Sequence, residues 1–290
     1  MEPWNAIVET IRSTEGGNAS LCGSTPVGGG CINATWALKT STGRYFVKLN
    51  DADQEAMFAT EVLGLATLAA ADAVRVPRPI CQGTAAGRAF LVLEYLELQS
   101  GDAASATRLG HALAALHATT ADAFGWEHDN TLGSTPQLNG WHGDWVTFWR
   151  EQRLGHQLTL AARLGHRFRD SERLLARLDT FLAGHEPAPS LLHGDLWGGN
   201  WAALPDGTPV IFDPAVYHGD RETDLAMTEL FGGFDPAFLA AYREAAPLDD
   251  GYPMRRELYN LYHVLNHVNL FGGGYVGQAQ RSIDRLLAAG

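Results

Sequence analysis

Apolar residues near the start of the chain recur at helical spacing. Trp4, Ile7, Val8 and Ile11 share one face of a helix predicted over 3–15, and Gly16 and Gly17 stop it. The period then changes. Residues 19–50 read as a β-meander with a flexible first turn: a strand, the glycine-rich stretch 25–33, a second strand around 32–39, a turn at 41–44 and a third strand at 45–49. Residues 53–71 are dense in helix formers, with Phe58, Val62, Leu65 and Leu68 on one face. The two prolines of 74–79 make that segment a connector, 89–93 is a near-continuous apolar strand, and 94–100 leads out of it. Beyond a boundary near 94–101 the texture is mainly helical, with helices expected at 103–119, about 141–165, 171–184, 235–246, 254–271 and 275–288. One β interruption runs over 191–212, and inside it the turn Pro205-Asp-Gly-Thr208 joins 201–204 to 209–212 as a hairpin. The pattern is α+β, a small β-rich unit over 1–95 followed by a larger helical one over 96–290.

Composition narrows the class. With 290 residues, 46% hydrophobic, 19% charged, 32 glycines and 13 prolines, the chain is neither disordered, collagen-like nor a coiled coil. A formal charge of −12 argues against nucleic acid or an anionic membrane as the main partner, and a cationic or metal-chelated substrate is easier to accommodate. Cys22, Cys31 and Cys81 form an odd, widely spaced set without a CxxC pair, which suits a reduced compartment and no zinc site. The first residues lack the basic end and apolar core of a signal peptide, and no transmembrane run is present, so the cytoplasm is the expected location. Monomer and homodimer both remain open.

The candidate chemistry lies in HGDLWGGN at 193–200 and FDP at 212–214. Asp195 and Asn200 stand in a glycine-rich turn, and Asp213 follows at a strand end. Three oxygen donors around one small space suit Mg²⁺ shared with phosphate. The pattern matches phosphoryl transfer, in which an Asp meets the substrate hydroxyl while an Asn and a later Asp hold the metal. Lys48 sits in an apolar strand, where a lysine is costly unless it meets anions; nucleotide phosphates and Glu61 on the next helix are its candidates. Glu61 is preferred over Glu55, because Glu61 shares a face with Phe58 and Leu65 whereas Glu55 lies at the helix start. Gly28, Gly29 and Gly30 lack side chains and let backbone amides approach phosphate oxygens. The backbone of Glu94, Tyr95 and Leu96 would meet adenine if that strand crosses between two lobes. Cys31, in the flexible turn, is a candidate for oxidation that blocks ATP entry or links two chains.

These motifs carry a resemblance. With GGGCIN at 28–33, FVKLN at 46–50, MFATE at 57–61, VPRP at 76–79, LVLEYL at 91–96, HGDLWGGN, FDPAVYHGDRETDLAM at 212–227 and FGGF at 231–234, the chain from about residue 18 to 275 resembles the fructosamine kinase (ketosamine 3-kinase) family. That family lies within the aminoglycoside phosphotransferase and protein-kinase-like superfamily. The resemblance implies a bilobal kinase-like fold and ATP- and Mg²⁺-dependent phosphorylation of the sugar 3-hydroxyl of ketosamines, free or on protein lysines. The phosphorylated adduct then falls apart and restores the amine. It also implies Asp195 as the residue that orients and deprotonates the hydroxyl, Asn200 and Asp213 as metal ligands, Lys48 on phosphate, and Glu61 as its partner. The acidic run from Asp220 through Glu222 to Asp224 would attract a substrate's secondary ammonium, or else be ion-paired through Arg221 to hold the catalytic loop. Trp197, Trp141, His263 and His267 are candidates for a sugar-stacking wall.

Overall fold

The computed structural model describes residues 3–28 and 32–289. Helix α1 (Trp4–Glu15) leads into β1 (Leu21–Val27), β2 (Ala34–Thr40) and β3 (Arg44–Asp51), then α2 (Glu55–Ala70), β4 (Pro79–Ala85) and β5 (Arg88–Glu94). The five strands form one antiparallel sheet in the order β1-β2-β3-β5-β4. β4 starts on the last residue of the segment read as connector and runs through residues to which the sequence pattern assigned no element. It is an edge strand that begins on a proline, where the missing N–H costs no ladder bond.

Strand period assigns the two faces of this sheet. Val47, Phe90 and Val92 pack with Trp4, Ile7, Val8 and Ile11 of α1. Ala89, Leu91 and Leu93 point the other way, onto Phe58, Leu65 and Leu68 of α2 and into the main core. Lys48 pairs with Leu91 in register and so falls on the α2 side. The main core runs without a break from α2 into the C-terminal helices.

The second half holds α3 (Ala103–His117), the hairpin β6 (Asn130–Leu132) and β7 (Thr135–Gln137), α4 (Trp145–Phe148), α5 (His156–Arg163), α6 (Ser171–Ala176) and α7 (Leu178–Phe181). Then come β8 (Ser190–Leu192), β9 (Trp201–Ala203), β10 (Pro209–Ile211), β11 (Tyr217–Gly219), α8 (Glu222–Leu230), α9 (Pro236–Ala245), α10 (Tyr252–Phe271) and α11 (Gly274–Ala289). β9 and β10 make the expected hairpin, and β8 pairs with β11. The helix expected from about 141 starts only at Trp145, capped by Asp144 through the Thr147 N–H, and widens to a π-helix over Trp149–Gly155. The expected 171–184 helix is two short pieces. α8 falls on residues read as an acidic run; Glu222 and Asp224 in its first turn are the acids a helix N-terminus favours. α3 packs on α9 through Gly110, where a Cβ would lie 2.3 Å from the Phe238 carbonyl. α10 buries Leu258, Leu261, Tyr262, Leu265 and Val268 on one stripe.

Candidate active site

The loop that leaves β8 is held from beneath. His193 is buried; its Nδ1 accepts the Asp195 N–H at 3.3 Å, and its Nε2 lies 2.9 Å from the Phe212 carbonyl. A carbonyl only accepts, so Nε2 carries the proton, and both nitrogens are satisfied only in the neutral ring. Burial accordingly pushes the imidazole below its ordinary value. Gly194 has φ +83, and a Cβ there would lie 2.0 Å from the Ala215 carbonyl, so no other residue fits this turn. Asp224 of α8 accepts the N–H of His193 at 2.7 Å and of Gly194 at 2.8 Å, and its Oδ2 lies 3.2 Å from His117 Nε2. Burial alone would raise the Asp224 carboxyl, but the His117 contact first, and the Gly194 N–H with it, hold it below the usual range. In the sequence Asp224 stands out only as the last acid of the run 220–224, read as meeting the substrate's ammonium or as holding the catalytic loop; it holds the loop, through backbone N–H groups rather than through Arg221.

Asp195 is half-buried, and burial, followed by the charges of Asp213 and Asp224, raises its carboxyl to about 7. The Asn200 side-chain N–H₂ donates to the Asp195 carbonyl at 2.8 Å, which directs Oδ1 away as the remaining donor atom. Asp213 holds φ +58, a left-handed conformation rare for a non-glycine residue and frequent where function imposes it. Its side chain is 46% exposed.

Lys48 Nζ donates to Glu61 Oε1 and to Asp213 Oδ1, both at 2.6 Å, while its side chain is only 3% exposed. Burial would lower the ammonium, but Asp213 and Glu61 outweigh it and hold it above its ordinary value. Lys48, Glu61, Asp195, Asn200 and Asp213 all line one cleft of about 440 Å³. Carboxylate and amide oxygens at Asp195, Asn200 and Asp213 are the hard donors Mg²⁺ requires, and Lys48 adds a fixed cation for phosphate.

Other expected contacts fare differently. Ile32, Asn33 and Thr35 flank the cleft just after the glycine-rich turn; Gly28 is described, but Gly29, Gly30 and Cys31 lie outside the described residues. Glu94, Tyr95 and Leu96 are not among the residues lining the cleft. The Glu94 N–H is spent on the Arg78 carbonyl, its carboxylate on Arg75 and the Arg78 N–H, and the Tyr95 ring lies under Arg44.

Trp197 and His267 face the cleft, whereas Trp141 stacks on His218 outside it and His263 is buried in α10. Of the two readings of Asp220 and Glu222 the substrate contact is overturned: they are 1% and 2% exposed and fully engaged. Asp220 takes bonds from His185, Tyr259 and the Glu222 N–H, and Glu222 is bridged twice by Arg255 at 2.6 and 2.8 Å. Asp220 pairs with His185 and Glu222 with Arg255; Arg221 instead bonds the Tyr242 hydroxyl and the carbonyls of Ala246 and Pro247. Buried charges survive only when paired in this way, and paired they attract no substrate.

Comparison with known proteins agrees with the geometry. The model of the fructosamine kinase family matches residues 3–289. The chain is 50% identical over 286 residues to a protein of Synechocystis sp. (strain ATCC 27184 / PCC 6803 / Kazusa) described as a probable ketoamine kinase, covering 98% of this chain and 97% of that one. It is 41% identical to a chloroplastic protein-ribulosamine 3-kinase of Oryza sativa subsp. indica, over 94% of this chain and 81% of that one. A solved structure from Haemophilus somnus 129PT, described as a "putative fructosamine-3-kinase", matches with TM-score 0.92 and 31% identity over 98% of each chain. The choline kinase LicA of Streptococcus pneumoniae, at 18% identity and TM-score 0.66 over 98% of each chain, shares the kinase-like fold.

Proposed function

The chain belongs to the fructosamine kinase family, and from that premise we propose that it transfers the γ-phosphoryl group of ATP to the sugar 3-hydroxyl of ketosamines. Ribulosamines and fructosamines, free or on protein lysines, are the substrate class. The observation that carries the reading is the meeting of Lys48, Glu61 and Asp213 across the cleft that also holds Asp195 and Asn200. Lys48 Nζ donates to phosphate oxygens, and Glu61 keeps that lysine charged and aimed. Asn200 Oδ1 and the Asp213 carboxylate would hold Mg²⁺, which when bound neutralises charge on the transferring phosphoryl group. An Asp195 carboxylate oxygen orients the 3-hydroxyl and accepts its proton. In this chemistry the barrier falls mainly by positioning and charge stabilisation, so Asp195 need not be a strong base. Trp197, 37% exposed beside the catalytic turn, offers an apolar face to the sugar.

Mg²⁺-dependent ADP release is to be measured with a ribulosamine, a fructosamine, an aminoglycoside and choline, beside Asp195→Asn. Turnover of the ketosamines alone, lost in the variant, is the expected result. Turnover confined to the aminoglycoside or choline, or none at all, would overturn the reading.

A further inference from the structure

A ketosamine carries a secondary ammonium next to its sugar, and the acids once expected to receive it, Asp220 and Glu222, are sealed under His185 and Arg255. Among the described residues that line the cleft the carboxylates are Glu61, Asp195 and Asp213, and the reading above engages all three. A further acid would compete with them for Mg²⁺. The substrate's charge therefore has to be met by a neutral group.

One wall of the cleft supplies such a group. The His267 ring centre lies 4.8 Å from that of Phe231, 5.6 Å from Phe271 and 4.9 Å from Tyr275, and all four side chains line the cleft. Phe231 and Phe271 are 40% and 55% exposed, so their faces are open rather than committed to the core. His267 Nδ1 lies 2.8 Å from the His263 carbonyl one helical turn back. The carbonyl can only accept, so Nδ1 carries the proton and Nε2 of the neutral ring carries a lone pair. Nε2 has no partner among the described residues. Burial holds the ring below its ordinary value, in keeping with the neutral form.

Resting on the ketosamine reading, we propose that His267 and its collar of Phe231, Phe271 and Tyr275 form the subsite for the substrate's ammonium. Nε2 accepts one ammonium N–H bond, and the ring faces stabilise the charge by cation–π attraction. The sugar is left to Asp195 and Trp197, which line the same cleft.

The test compares a 1-alkylamino-1-deoxyfructose with the ether in which oxygen replaces nitrogen; both carry the 3-hydroxyl. Mg²⁺-dependent ADP release is followed for the wild type, Phe271→Leu and His267→Phe, with folding checked by circular dichroism. The wild type is expected to favour the amine in kcat/KM by about tenfold to a hundredfold, mostly through KM. The ratio should fall toward one in both variants, further in His267→Phe. Phe271 is exposed, so its substitution tests the subsite without risk to the core. A wild type indifferent to the nitrogen, or an amine-to-ether ratio unchanged in both variants, overturns the subsite and leaves the kinase reading standing. No turnover of either compound by the wild type overturns both.

Discussion

Lys48 Nζ lies 2.6 Å from Asp213 Oδ1, although 165 positions separate the two residues in the chain. The same ammonium reaches Glu61 at the same distance, so one cation joins the sheet, α2 and the strand end beyond the catalytic loop. The two partners are not equivalent. Glu61 is 10% exposed and Asp213 46%, so water screens the Asp213 contact more, and Glu61 is the anchor.

Removing that lysine isolates the anchor. Lys48→Met leaves Glu61 buried without its cation and is expected to cost about 3–5 kcal/mol of stability. Adding Glu61→Leu should recover most of the thermal midpoint, since an apolar replacement removes the orphaned charge. Neither variant should regain phosphoryl transfer, with kcat down by at least about a hundredfold. Thermal unfolding and ADP release measured side by side check this, and a double variant no more stable than Lys48→Met would sink it.

Asp224 orders the catalytic loop without touching the cleft's contents. In Asp224→Asn an N–H₂ group faces the N–H of His193 or of Gly194, so one loop amide loses its acceptor. The expected outcome is a loss of about 1–3 kcal/mol in stability and a fall in kcat, with KM for ATP little changed. A steady-state split into kcat and KM distinguishes this from weakened nucleotide binding.

Glu222→Gln separates a buried ion pair from a substrate contact. The thermal midpoint should drop, by less than the about 3–5 kcal/mol of a fully orphaned pair, because Arg255 keeps Asp249 at 2.6 Å. KM for a ketosamine should not move. A raised KM at an unchanged midpoint would return Glu222 to the substrate site.

Acid should weaken the fold through buried imidazoles. His263 is pushed down to about 3, by burial first and then by the neighbouring His267, whereas an unfolded histidine titrates near 6.5. Below that value the unfolded chain binds the extra proton, so the stability this group contributes is complete above about pH 6.5 and is lost as pH falls toward 3. The slope per histidine is at most about 1.4 kcal/mol per pH unit. His193 acts in the same direction. Denaturant unfolding between pH 7 and 4 should show a shallower slope for His263→Leu than for the wild type.

Local chemistry was legible in the letters. HGDLWGGN declares its turn because glycine at 194 is the residue a φ of +83 allows, and helical period chose Glu61 over Glu55 as the partner of Lys48. β4 and α8 were not legible. Prolines and a glycine disguised an edge strand whose hydrogen bonds come from β5, and the acids that open α8 look the same in a helix N-terminus as in a solvated loop.

By itself the sequence determined which residue types stand in the catalytic turn, the alternation that places Lys48 on the α2 side of its strand, and the family to which the chain belongs. Those properties depend on neighbours within a few positions, where backbone geometry leaves few choices. Only the tertiary structure decided that Asp220 and Glu222 are sealed beneath His185 and Arg255, that Asp224 grips the loop, and that Phe231, His267, Phe271 and Tyr275 close into one wall. A side chain's charge is written in its letter, but its solvation is set by segments that pack on it from far along the chain, and solvation decides whether that charge meets a partner or a substrate.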